Sequence, residues 1–209
     1  MLLILLVSAA PLCAVLIWFH AAGMPVKTRF FLISLAAGAC AMFASAAAQY
    51  LFFLYIPSAP ALFSIFVRTA LVEEAGRFAV FALVFAAARK AAGSFLTERF
   101  ACCAGLVSSL SFSCLENVYY ALMSPSSVLV RVVTAVPLHA ACAMRSVSAA
   151  YFLKENRKRA AVIFFQAVFI HGFYDYFISA SGFLQFLAPV LAITAFFSKA
   201  VFISQKEEF

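Results

Sequence analysis

Seven apolar runs, each about long enough to cross a bilayer, leave almost none of this chain outside a membrane. They read as residues 2–19, 30–55, 61–88, 99–123, 128–153, 161–180 and 183–203. A spanning helix needs about 20 apolar residues. Lipid offers no water to backbone N–H and C=O groups, so runs of this length must satisfy them internally, as helices. The composition agrees, with 67% hydrophobic residues, 11% charged residues and a mean hydropathy of +1.06. Soluble domains hold about 45–50% apolar and about 25% charged residues. The expectation is one all-α domain over residues 1–209, a polytopic bundle of about seven spans with short connections. Its expected place is the cytoplasmic membrane of the cell, as a multi-pass protein, and its first partner is the lipid bilayer.

The breaks between runs carry Gly, Pro, Ser and charge. They fall at Gly23-Met24-Pro25 and at residues 57–60, 89–99, 124–127, 154–159 and 179–182. Basic residues alternate between them. Lys27 and Arg29 follow the first run, Arg89, Lys90 and Arg99 the third, and Lys154, Arg157, Lys158 and Arg159 the fifth. Lys199 and Lys206 close the chain, and the second, fourth and sixth breaks have no basic residue. By the positive-inside rule the N-terminus lies outside and the C-terminus in the cytoplasm. The net charge of +7 is thus an orientation signal, and no nucleic-acid partner is expected. The first run lacks a basic n-region and reads as a retained span rather than a signal peptide. The six cysteines lie in apolar runs without zinc-finger spacing and read as small hydrophobes.

Against this background, six ionisable residues stand where lipid should exclude them: Glu73, Glu74, Glu116, His139, His171 and Asp175. A charge at the bilayer centre costs about 2.5–3.5 kcal/mol on insertion scales, so four unpaired carboxylates would cost on the order of 10 kcal/mol. The expected topology sets all six in one layer, from the midplane toward the outer face. Glu116 stands about 10 Å of helix rise from the outer end of its span, and His139 about 17 Å from that of the next. One polar chamber that performs chemistry explains both the cost and the common depth.

Four local patterns carry that chemistry. In Glu73-Glu74-Ala75-Gly76-Arg77, Arg77 is three and four residues from the two acids and can pair with either. One carboxylate can then serve as a general base while the other is protonated or paired. In His171-Gly172-Phe173-Tyr174-Asp175, His and Asp share a helix face, so Asp175 can fix the imidazole tautomer or line the same cavity. Glu116 is followed by Asn117, whose amide can bind a substrate carbonyl. His139 follows Pro137, which is expected to kink its helix. Arg68 and Arg131 are expected to reach the outer interface. Two histidines and a carboxylate also make a zinc set, at His139, His171 and Glu116. There is no HExxH, and a glutamate-activated water needs no metal. No cofactor is therefore expected, with zinc as the alternative.

The ordered set EEAGR at 73–77, ENVYY at 116–120, PLHAA at 137–141 and HGFYD at 171–175 resembles the PrsW family of polytopic membrane proteases. It also resembles the wider group of CAAX prenyl proteases and bacterial immunity-type membrane proteases. The resemblance covers residues 60–180 and implies a helical intramembrane peptidase whose catalytic core is that segment. It implies that Glu73 and Glu74 hold the base, that Glu116 belongs to the site, and that His139, His171 and Asp175 position water and stabilise the oxyanion. Arg77 and Asn117 would support them. It further implies a membrane-anchored protein substrate, with site-1-type clipping of an anti-sigma factor-like protein from the outer side. Two alternatives stay open. A CAAX-type processing protease would open its site toward the cytoplasm. A proton-coupled transporter would use the same groups as a relay, although no inverted repeat of broken helices is visible.

Overall fold

The computed structural model describes residues 2–21, 28–92 and 96–205, and all secondary structure among them is helical. Gly23, Met24, Pro25, Lys27 and Lys206 lie outside the described residues. Helix α1 is Leu2–Ala21 and α2 is Thr28–Tyr55. Helix α3 runs over residues 61–92 as three joined pieces, Ala61–Phe63, a π-helical stretch Ser64–Leu71, and Val72–Ala92. Then come α4 at Glu98–Met123, α5 at Ser127–Phe152 and α6 at Arg157–Ser179. A 3₁₀ turn, Gly182–Phe186, leads into α7 at Leu187–Ser204.

Five of these segments are long and apolar enough to cross a membrane: Thr28–Tyr55, Glu98–Met123, Ser127–Phe152, Arg157–Ser179 and Gly182–Ser204. Helix α3 has the length but carries Arg68, Glu73, Glu74, Arg77, Arg89 and Lys90. The described apolar part of α1, Leu6–Ala21, is shorter.

The breaks have local causes. Thr97 caps α4 by accepting a hydrogen bond from the Phe100 amide at 3.1 Å, and Asn156 caps α6 by accepting from the Arg159 amide at 3.0 Å. Pro60 immediately precedes α3, where its missing N–H costs the helix nothing. Pro137 does not interrupt α5, which continues to Phe152.

Helix α5 is the axis of the bundle, with α1, α3, α4, α6 and α7 all packed against it. Its sequence from Ala140 to Ala150 is mostly Ala, Ser and Cys, and every residue in it is buried. Side chains this small let neighbouring backbones approach, which is how helices gain contact in lipid without a hydrophobic drive between them. Gly105 of α4 shows how close: a Cβ there would stand 2.5 Å from the Ala143 carbonyl oxygen of α5. Gly38 of α2 likewise lies directly on the Ser108 backbone of α4. Other bulky residues face outward, with Phe53, Leu54, Phe169, Val190 and Phe197 all more than half exposed, while Phe19, Phe81, Phe85 and Phe112 fill the interior.

At one end of the bundle two further acids tie loops together. Glu98 pairs with Arg159 at 2.7 Å and Lys199 at 3.4 Å, and Glu155 pairs with Arg89 at 3.1 Å. The opposite end, at the C-termini of α2, α4 and α6, holds the mouth of a deep cavity.

Candidate active site

Helix α3 brings Glu73, Glu74 and Arg77 to the centre of the bundle, where all three are at least nine-tenths buried. Helix α5 presents His139 and Ser146 to them, two turns apart on one face, and α6 presents His171. The three elements thus meet around one polar knot in an apolar interior, where every donor and acceptor needs a partner.

Glu74 is saturated. Its Oε1 accepts from Arg77 Nη1 and from His171 Nδ1, the latter at 2.8 Å, and its Oε2 accepts from Ser146 Oγ at 2.7 Å. Because Nδ1 of His171 donates to this carboxylate, the lone pair of a neutral ring lies on Nε2. That nitrogen faces Glu73 Oε2 at 3.8 Å and Asp175 Oδ2 at 3.6 Å.

Glu73 is held differently. Gln49 Nε2, from α2, donates to its Oε1 at 3.1 Å. Its Oε2 is buried with no hydrogen-bond partner, 3.5 Å from Arg77 Nη2 and 4.0 Å from His139 Nδ1. One carboxylate oxygen is therefore fixed, while the other faces two imidazoles and a guanidinium.

His139 is engaged on both sides. A guanidinium only donates, so Arg77 Nη2, 2.9 Å away, must donate into Nδ1. Nε2 then carries the proton of a neutral ring and donates to Glu116 Oε2 at 2.7 Å. Glu116 Oε2 also accepts from Arg131 Nη2 at 2.7 Å, and Arg131 Nε donates to Asn117 Oδ1 at 2.9 Å. Arg131, with Glu116 offering it a charged acceptor and Asn117 an amide, also lies over the Tyr120 ring at 3.9 Å. Asn117 Nδ2 is buried without a partner.

All six ionisable residues singled out in the sequence thus come together, with Arg77 and Asn117 beside them. A cavity of 780 Å³ reaches the knot, and Glu73, Glu116, His139, His171 and Asp175 line it. At its mouth stand Tyr50 and Tyr119, each more than half exposed. Arg68 and Thr69 of the π-helical stretch form part of its wall. π-Helical turns are rare and recur at functional sites; this one ends immediately before Val72-Glu73.

Several of these residues gave little sign of themselves. Gln49 lies outside residues 60–180, and its one signal is a lone amide in an apolar run. Ser146 and Cys142 stand seven and three residues after His139, the spacings of one helix face. The zinc set expected from sequence is corrected in one member. The donor atoms close enough to share an ion belong to Glu73, His139 and His171, while Glu116 lies beyond the other nitrogen of His139. A second such group is Glu74, Cys142 and His171.

Among known proteins, residues 26–202 match the family described as PrsW family intramembrane metalloprotease. No curated protein and no solved structure matches the chain.

Proposed function

Because the chain belongs to the PrsW family of intramembrane metalloproteases, we propose that it hydrolyses peptide bonds of membrane-anchored proteins in the cavity over Glu73, using a glutamate-activated water. The observation that carries this reading is Glu73 Oε2, a buried carboxylate oxygen with no hydrogen-bond partner, 3.8 Å from His171 Nε2, on a residue that lines the cavity.

The two glutamates divide the work. Glu74, bound to Arg77, Ser146 and His171, serves orientation: it fixes the tautomer and direction of His171. Glu73 Oε2 takes the proton of a water held between it and His171 Nε2, and later returns that proton to the leaving amine. His171 Nε2 and Asp175 accept the remaining hydrogen bond of that water. Arg77 supplies positive charge behind Glu73, Glu74 and His139, and Asn117 holds Arg131 against Glu116. Glu116 and Arg131 hold His139 from behind, so the imidazole does not turn.

The same residues fit a divalent metal. Glu73, His139 and His171 make a His₂Glu set, and the knot has four carboxylates for two paired guanidiniums, an excess of negative charge that a cation offsets. When bound there, a zinc-type ion supplies an acidified water and polarises the scissile carbonyl. His139 joins such a set only when Arg77 releases its Nδ1, so Glu73 and His171 are the more available ligands.

In this reading the chain has seven spans with the N-terminus outside, and the cavity opens on the outer side; the alternation of basic loops supports that orientation. A membrane-anchored anti-sigma factor-like protein, cut on its outer side, fits that geometry. The CAAX-type reading requires the cavity to open on the cytoplasmic side.

The test uses the full chain in proteoliposomes with single-span proteins tagged at both ends. Wild type should release fragments, and Glu73→Gln should reduce release by at least about 100-fold. Undiminished cleavage in the Glu73→Gln/Glu74→Gln double variant would overturn the glutamate mechanism, and no release by wild type would overturn the peptidase assignment and favour a proton relay. Loss with a chelator and recovery with zinc would assign Glu73, His139 and His171 as ligands. Indifference to chelator would leave Glu73 as base.

A further inference from the structure

Helix α2 lies outside the motifs that mark the site, yet it reaches the reacting groups at one point. Its buried residues are Ser34, Ala37, Gly38, Ala41 and Ser45, one face that stops at Ser45. Beyond it, Tyr50, Leu51, Phe53, Leu54 and Tyr55 are all more than half exposed. Among the described residues of this outer half, Gln49 alone contacts a site carboxylate, donating Nε2 to Glu73 Oε1 at 3.1 Å.

Resting on the peptidase reading above, we propose that Gln49 is a positioning residue for Glu73: it occupies one carboxylate oxygen so that the other, Oε2, is the one presented to water and to His171. A carboxylate on a flexible stem has two equivalent oxygens and can rotate to present either. With Arg77 Nη2 only 3.5 Å from Oε2, an untethered Glu73 would rotate into a closer, two-point pairing with that guanidinium. The oxygen now free would then be held in an ion pair, as Glu74 already is. The Gln49 amide opposes this because it comes from a different helix and holds the oxygen that Arg77 does not approach. Its own anchor is the packing of α2, since Ser45, one turn earlier, is buried and sits against the backbone of α3 at the Val72 carbonyl. A neutral amide suits this role, since it donates without adding a charge that would compete with the guanidinium.

Three measurements on the full chain in lipid test this. Gln49→Leu should lower kcat about 10- to 100-fold, the range for losing one hydrogen bond to a charged group, with KM changed less than about twofold. Gln49→Met, which keeps the length of the side chain and removes the amide donor, should lose as much kcat as Gln49→Leu. Wild-type kcat in Gln49→Met would mean a packing role and overturn the proposal. The third measurement needs no substrate. The carboxylate infrared band of Glu73, identified by its disappearance in Glu73→Gln, should move in Gln49→Leu. An unmoved band overturns the proposal even if the protein cleaves; a moved band supports it even if the peptidase reading fails.

Discussion

Adjacent glutamates with identical chemistry are made unequal by their neighbours. Glu74 has its acceptors filled by Arg77, His171 and Ser146, whereas Glu73 keeps one oxygen free in a buried place. Neutralising them should therefore have different consequences. Glu73→Gln removes a weakly paired charge, and its Tm in detergent should stay within a few degrees of wild type while cleavage is lost. Glu74→Gln leaves Arg77 and His171 without their common anion, and loss of such charge-assisted bonds costs about 1–3 kcal/mol. It should lower Tm as well as activity, and equal Tm values for the two variants would refute this division. His171→Ala should abolish cleavage as fully as Glu73→Gln, because in the proposed mechanism both act on one water and effects within such a unit do not add.

At the scale of elements, the π-helical stretch of α3 packs against α6, and one ring in that contact lies beside the site. Phe66 lies on Gly172, the residue after His171, so closely that a Cβ there would overlap the ring, and Phe66 also meets Phe173 edge-on at 5.3 Å. Gly172→Ala should push Phe66 away and shift His171 with it, reducing cleavage by roughly 10-fold or more, since misplacement by about 1 Å can cost 100-fold. Adding Phe66→Leu should recover much of the loss, a coupling that a double-mutant cycle would show; additive effects would refute the contact as the cause. Gly105 presents the contrasting case. Its obstacle is the Ala143 backbone at 2.5 Å rather than the far end of a side chain, and backbone cannot swing aside. Gly105→Val should separate α4 from α5 and abolish folded protein in the membrane, with no compensating substitution at position 143.

For the molecule as a whole, orientation decides which side supplies substrate. A reporter fused at Ser126 should score external, and one after Arg159 cytoplasmic, because basic loops are retained inside. The reverse would turn the cavity mouth to the cytoplasm and raise the CAAX-type reading. Much of the architecture was written in the order of residues. The apolar runs marked the helices to within a few residues, since lipid allows no other way to satisfy a backbone of that length. Glu73, Glu74, Glu116, His139, His171 and Asp175 were visible because each stands out against apolar neighbours. Their insertion cost made a shared chamber the simplest explanation before any contact was known. Partner choice was not visible, because it depends on which faces of distant helices meet. Arg131 pairs with Glu116 and Asn117, and Gln49, which no motif marks, holds Glu73. Glu116, offered as a zinc ligand, lies behind His139. That polar groups gather at one depth in a helical bundle was already required by the residues in order, because burying such groups apart costs too much. Which carboxylate oxygen stays free was settled by the packing of α2, α3 and α6 together, because hydrogen-bond saturation is a property of the assembled neighbourhood and not of any one helix.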